Sequence, residues 1–168
     1  QNKRRIMKFT TKKMVTAALI AALYTILTPP LPFSFGPVQF RLAEALTVLP
    51  AILPASIPGL FVGCLLANIL GGFGPIDIIF GSLATLLAAI STYLLRKERW
   101  LYPLPPVLFN GLIVGSYVYL LYDKTYPLVL TMLFIGISEF VLSYGLGLPL
   151  ISLLKRNAAI RKNLGIDE

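Results

Sequence analysis

From Tyr126 to Leu154 the chain carries a single charged side chain, Glu139, and that one stretch closes off most folds. About 20 consecutive apolar residues suffice for an α-helix to cross a bilayer. In hydrocarbon the backbone can satisfy its polar groups only as a helix or a closed barrel. The remainder follows the same pattern: 13% of the 168 residues are charged and 57% hydrophobic, with a mean hydropathy of +0.80. A soluble domain carries about 25% charged residues. The length fits one domain, residues 1–168, embedded in a membrane.

Six apolar runs are separated by proline, glycine or charge. The first, Met14 to Leu27, follows Lys3, Arg4, Arg5, Lys8, Lys12 and Lys13. It reads as a retained helix and not a signal peptide, because Thr28-Pro29-Pro30-Leu31-Pro32 stands where a small-x-small cleavage site would be. The chain opens at Gln1, so the true start is expected upstream. A loop rich in Pro and Phe leads to Phe40, and the second run covers Leu42 to Leu53. Pro54 and Pro58 bracket a tight turn before the third run, Gly59 to Leu70. Both runs are short of an ideal span, which leaves two short helices or a re-entrant pair. Pro75 to Leu95, Val107 to Leu121 behind Pro103, Pro105 and Pro106, and Tyr126 to Leu154 complete the set. The fold class expected is all-α and polytopic, a bundle of six transmembrane helices, or four with a re-entrant hairpin.

Charge sets the orientation. If the N-terminus is cytoplasmic, every Lys and Arg except Arg41 and Lys124 lies on the inner side, as the positive-inside rule demands. Both termini are then cytoplasmic and the number of crossings is even. Small residues recur at spacing four: Gly59, Gly63, Ala67 and Gly71 in the third run, Gly111 and Gly115 in the fifth. Such rows let helix backbones approach closely in lipid. The first run has two of them, Ala17 with Ala21 and Ala18 with Ala22, more than one internal contact needs. These four alanines are candidates for docking a partner protein.

Several functions are excluded or made poor. There is no His, so the usual general base and the usual metal ligand are absent. Cys64 is alone, too few for a disulfide or a cysteine metal site. The net charge of +8 is divided among short segments, unlike the single basic face of a nucleic-acid binder. No Gly-x-x-x-x-Gly-Lys sequence occurs, so ATP hydrolysis is not expected from this chain. Neither an enzyme nor a cofactor is expected.

Ionisable residues inside spans are costly and point to function. Glu44, Asp77 and Glu139 are such residues, accompanied by Asn68 and Asn110. Glu139 lies deepest, and no Lys or Arg stands within a turn of it; it reads as a ligand acceptor. Glu44 has Arg41 three residues before it, which leaves a local ion pair open. Asp77 follows Gly74-Pro75 at a helix start, where the dipole alone favours an acid. Asn68 and Asn110 can bridge helices, and Tyr117 shares the Asn110 face as an aromatic wall. Arg41, Glu44, Asn68 and Asp77 fall near outer helix ends with Glu139 beneath them, the outline of a pocket that opens outward.

Several stretches resemble the QueT family: Gly36-Pro37-Val38-Gln39-Phe40-Arg41-Leu42-Ala43-Glu44-Ala45-Leu46-Thr47, Ile57-Pro58-Gly59-Leu60-Phe61-Val62-Gly63-Cys64-Leu65-Leu66-Ala67-Asn68, the segment from Asp77 to Leu87, Leu104-Pro105-Pro106-Val107-Leu108-Phe109-Asn110, and Tyr144-Gly145-Leu146-Gly147-Leu148-Pro149. The resemblance runs from the first helix to Pro149. It implies a substrate-binding S-component of an energy-coupling factor (ECF) transporter, which captures a queuosine precursor, a 7-deazaguanine-type base, outside the cell. It further implies a transmembrane coupling protein (EcfT-like) and two cytoplasmic ATPases as partners, with the first-helix alanines as the docking motif. A deazaguanine edge presents adjacent N–H donors that one carboxylate can accept, and an aminomethyl cation would seek a second. An S-component for another vitamin and a small proton-coupled secondary transporter are the other readings.

Overall fold

The computed structural model describes residues 10–29, 34, 37–72, 74–164 and 166. Lys3, Arg4, Arg5, Lys8, the segment Pro30-Leu31-Pro32 and Gly36 lie outside the described residues. The chain forms α1 (Thr11–Leu27), a 3-10 helix (Leu42–Ala51), α2 (Ser56–Gly71), α3 (Asp77–Leu94), α4 (Leu104–Tyr122), α5 (Leu128–Arg156) and a short α6 (Ala158–Leu164). No strand occurs among the described residues.

The helix limits follow local chemistry. Thr10, in an extended conformation, leads into α1. Gly72 ends α2 at φ 71°, a left-handed position that costs a side chain energy and glycine little. Pro105 and Pro106 occupy the first turn of α4, where a missing N–H breaks no helical bond. Pro149 falls inside α5 directly after the wide π turn Val141–Gly147, which loosens the backbone where the proline ring would otherwise crowd the carbonyl of Gly145.

Three helices, α3, α4 and α5, are long and apolar enough to cross a membrane. At about 1.5 Å per residue α1 and α2 each rise roughly 25 Å. The 3-10 helix, at about 2 Å per residue, reaches only about 20 Å and contains Pro50. Apolar side chains cover the outside: Met14, Leu19 and Ile26 on α1, Leu70 on α2, Leu112 and Leu120 on α4, and Leu133, Ile137 and Phe140 on α5 are exposed. Polar side chains lie within, among them Asn68, Asp77, Thr85, Thr131 and Glu139. This inversion of a soluble protein's plan is that of a membrane protein.

Close backbone contacts hold the bundle together. A Cβ on Gly59 would stand 2.5 Å from the Ala17 carbonyl oxygen, and one on Gly63 would stand 2.9 Å from that of Ala21. Gly115 and Gly111 seat α4 in the same way on Met132 and Gly136 of α5. Gly147 lets α5 approach Val48 of the 3-10 helix. The four alanines of α1 are thereby divided: Ala21 is buried and Ala17 half-buried against α2, whereas Ala18 and Ala22 are exposed.

The bundle has two distinct ends. Lys12 Nζ donates to the Lys162 carbonyl at 3.0 Å, which ties the start of α1 to α6. Arg96, Lys97 and Arg99, after α3, line one cavity with Lys155 at the end of α5. At the other end Arg41, Asn68, Asp77 and Tyr117 are bonded together.

Candidate functional site

Each of the three membrane carboxylates is buried and each is held by one donor from another helix. Glu139, 6% exposed, lies about 17 Å along α5 from Leu128 at about 1.5 Å per residue. Its Oε1 accepts from Asn110 Nδ2 of α4 at 2.8 Å. Glu44 Oε1 on the 3-10 helix accepts from the hydroxyl of Tyr24 on α1. Asp77 Oδ1, at the start of α3, accepts from the Tyr117 hydroxyl of α4 at 2.5 Å. In all three the second oxygen, Glu44 Oε2, Asp77 Oδ2 and Glu139 Oε2, is buried and has no hydrogen-bond partner among the described residues.

That pattern is costly. A carboxylate removed from water with one of its two oxygens unpaired lacks much of the compensation burial demands. An arrangement of this kind is stable enough to persist when the rest of the fold carries it, and it leaves three acceptors that only donors can satisfy. The three are neighbours in charge as well. Arg41 feels both Glu44 and Asp77, and Glu139 feels both Glu44 and Arg41.

Arg41 organises the outer part. Its Nε donates to the Ser34 carbonyl at 2.6 Å and its Nη1 to Asn68 Oδ1 at 3.1 Å. Asn68 Nδ2 in turn donates to the Asp77 carbonyl at 3.1 Å. Gly81 makes room for this junction: a Cβ there would stand 2.8 Å from Asn68 Nδ2 and 3.1 Å from the Tyr117 hydroxyl. Around Asn68 lie Cys64 and Thr85, with Thr85 Oγ1 3.3 Å from the sulfur. Among the described residues no three His, Cys, Asp or Glu side chains form a group able to hold a metal ion.

All seven residues read from the sequence as ligand contacts are buried. Asn110 and Tyr117, both on α4, serve different acids: Asn110 bonds Glu139, bridging two helices as its residue type allowed, and Tyr117 bonds Asp77. Helix α4 widens into π turns at Asn110–Val114 and Val118–Tyr122. Asp77–Gly81 in α3 and Val141–Gly147 in α5 widen likewise beside Asp77 and Glu139. Tyr24 was not anticipated. It is fully buried, and its spacing of three from Ala21 and seven from Ala17 puts it on the inward face that packs against α2.

Comparison with known proteins gives the family. Residues 41% identical over 83 positions are found in the Queuosine precursor transporter QueT of Lactococcus lactis subsp. cremoris (strain MG1363). The match takes in 48% of each chain, so it spans about half the length of that relative. No solved structure matches. The QueT transporter family matches residues 14–156, nearly all of the helical bundle. The chain belongs to the QueT transporter family.

Proposed function

We propose that this chain is the substrate-capturing membrane subunit of an importer for a queuosine precursor, a 7-deazaguanine-type base. The observation that carries the reading is the set of three buried carboxylates with one unpartnered oxygen each. A deazaguanine offers adjacent ring and exocyclic N–H donors, and an aminomethyl substituent adds a cation. Such a ligand supplies the donors that Glu44, Asp77 and Glu139 lack, with Asn68, Asn110, Arg41 and Tyr117 fixing their positions. The Lactococcus relative, a queuosine precursor transporter by name, points to the same ligand class.

In this reading the chain is an S-component of the energy-coupling factor type. It has six membrane helices, both termini in the cytoplasm, and a site that opens to the outside of the cell membrane. The gathering of Lys12, Lys162, Arg96 and Lys155 at one end of the bundle supports that orientation under the positive-inside rule. Uptake is driven by a transmembrane coupling protein and two ATPases, and this chain binds without chemistry. The exposed Ala18 and Ala22 are the part of the alanine motif open to that partner, since Ala17 and Ala21 face α2.

Calorimetric titration of the purified chain with 7-deazaguanine derivatives and queuine tests the proposal. Binding without turnover is expected. No heat with any of them, together with binding of a different vitamin, overturns the substrate class; uptake by the chain alone driven by a proton gradient overturns the subunit assignment.

A further inference from the structure

At the end of the bundle opposite the carboxylates lies a cavity of about 200 Å³. Arg96, Lys97 and Arg99 reach it from the segment between α3 and α4, and Lys155 from the end of α5. Tyr102 and Ile151, both nearly buried, form its apolar floor. Among the described residues no carboxylate lines it.

Taken singly, each cation has an ordinary explanation. Arg96 and Lys155 stand at helix C-termini, where the dipole favours positive charge. Convergence of four around one cavity is different, because like charges at close range repel. The contacts of Arg96 and Arg99 are with a carbonyl and aromatic rings, and Glu98, the acid in the same segment, is exposed and does not line the cavity. Arg96 Nη1 donates to the Tyr93 carbonyl at 2.9 Å and its guanidinium lies 4.0 Å over the Tyr93 ring; Arg99 lies 5.8 Å from the Trp100 ring. What offsets such a cluster is an anion with several acceptor oxygens. A phosphate has them, and the forked guanidinium matches its geometry.

The surroundings identify the source of that phosphate. Leu94, Trp100, Leu101 and Leu153 flank the cavity in sequence and are all exposed, with Trp100 at 68% and Leu94 at 67%. A soluble anion has no use for apolar side chains at this place, whereas acyl chains do. Basic pockets at the ends of membrane helices bind anionic headgroups, and tryptophan is enriched at that depth. We propose that the cavity between Arg96, Lys97, Arg99 and Lys155 holds the phosphate headgroup of an anionic phospholipid.

Trp100 is the chain's one tryptophan and so reports on this place alone. The full chain is reconstituted in phosphatidylcholine vesicles containing either brominated phosphatidylglycerol or an equal fraction of brominated phosphatidylcholine. Quenching of Trp100 should be at least about threefold more effective with the anionic lipid. Unbrominated phosphatidylglycerol should relieve it. Arg96→Gln with Lys155→Gln should abolish the preference, and Arg96→Gln alone should reduce it. Arg156→Gln with Lys162→Gln removes the same charge from exposed positions away from the cavity and should leave the preference intact.

Equal quenching by the two lipids overturns the proposal. So does a preference that falls equally in both double variants, which would assign it to diffuse surface charge. Relief by millimolar inorganic phosphate or glycerol phosphate makes a soluble anion the ligand and also overturns it. If lipid preference is absent and the Arg96/Lys155 variant instead loses co-purification with the energising subunits, the cavity belongs to an acidic partner protein. None of these outcomes depends on whether a deazaguanine binds at the other end.

Discussion

The two ends of this bundle treat charge in opposite ways. At one end three carboxylates are buried, and each has a single donor and a spare oxygen. At the other, four exposed cations converge on a cavity, and an anion from outside the chain is the partner we propose for them. Exposed charge costs little to hold in place, whereas buried, half-satisfied charge is expensive, and in the function proposed above a ligand completes it. The difference lies in where acceptors are left open, and substitutions at each end should therefore fail in different measurements.

The largest effect is expected at Glu139. In Glu139→Gln the amide oxygen can keep the Asn110 bond, which places the NH₂ group where the spare oxygen stands. A ligand donor would then meet a donor. Loss of the charge-assisted bond should cost about 2–4 kcal/mol of binding, a fall of roughly 30-fold or more in affinity. Expression and thermal unfolding should be unchanged or improved, since an amide is cheaper to bury than a carboxylate. Binding within about threefold of the parent together with impaired folding would make Glu139 a structural residue and dissolve the contrast between the two ends.

A smaller effect is expected from the residues that hold the acids. Tyr24→Phe and Tyr117→Phe each remove a hydroxyl that donates to a buried carboxylate and keep the ring in place. Each should lower stability by about 1–3 kcal/mol in reversible unfolding in detergent. Lys97→Gln, the same loss of a polar group at the exposed end, should stay within about 0.5 kcal/mol. Similar costs at the two ends would mean that the tyrosine hydroxyls are spectators.

These expectations also mark what sequence could and could not supply. Apolar runs and prolines located six helices to within a few residues, because lipid forces hydrophobicity on whole segments; the short polar α6, Ala158–Leu164, carries no such signal and was not located. The run beginning at Leu42 was visible as apolar, but its 3-10 geometry and short reach were not, since they come from packing against α1, α3 and α5. The acids stood out because ionisable groups are rare in such segments. Their partners did not: Tyr24 and Glu44, or Tyr117 and Asp77, are distant in sequence and are joined only by helix packing. The pairing of Asn110 with Glu139 was hidden in the same way, because the two stand 29 residues apart on different helices.

The smallest effect concerns an acid at the same end as the ligand site but in water. Asp123, in the segment between α4 and α5, accepts two hydrogen bonds on one oxygen, from the Thr125 hydroxyl and from the Thr125 N–H at 2.8 Å. These donors hold its carboxyl below the ordinary aspartate range. A carboxyl whose value is lower in the folded than in the unfolded chain stabilises the fold above the unfolded value, and loses that contribution as pH falls through the folded one. The window is therefore below about pH 4. Carboxyl carbon shifts of Asp123 followed against pH should give a midpoint under the ordinary value, and Thr125→Ala should move it up part of the way, because the N–H bond survives. A midpoint at or above the ordinary value would show that the turn supplies no such donors. The comparison with Glu139 is direct: a turn of three residues gives a partly exposed acid two donors at once, whereas among the described residues buried Glu139 has one, from Asn110, and in the function proposed above the ligand supplies the second.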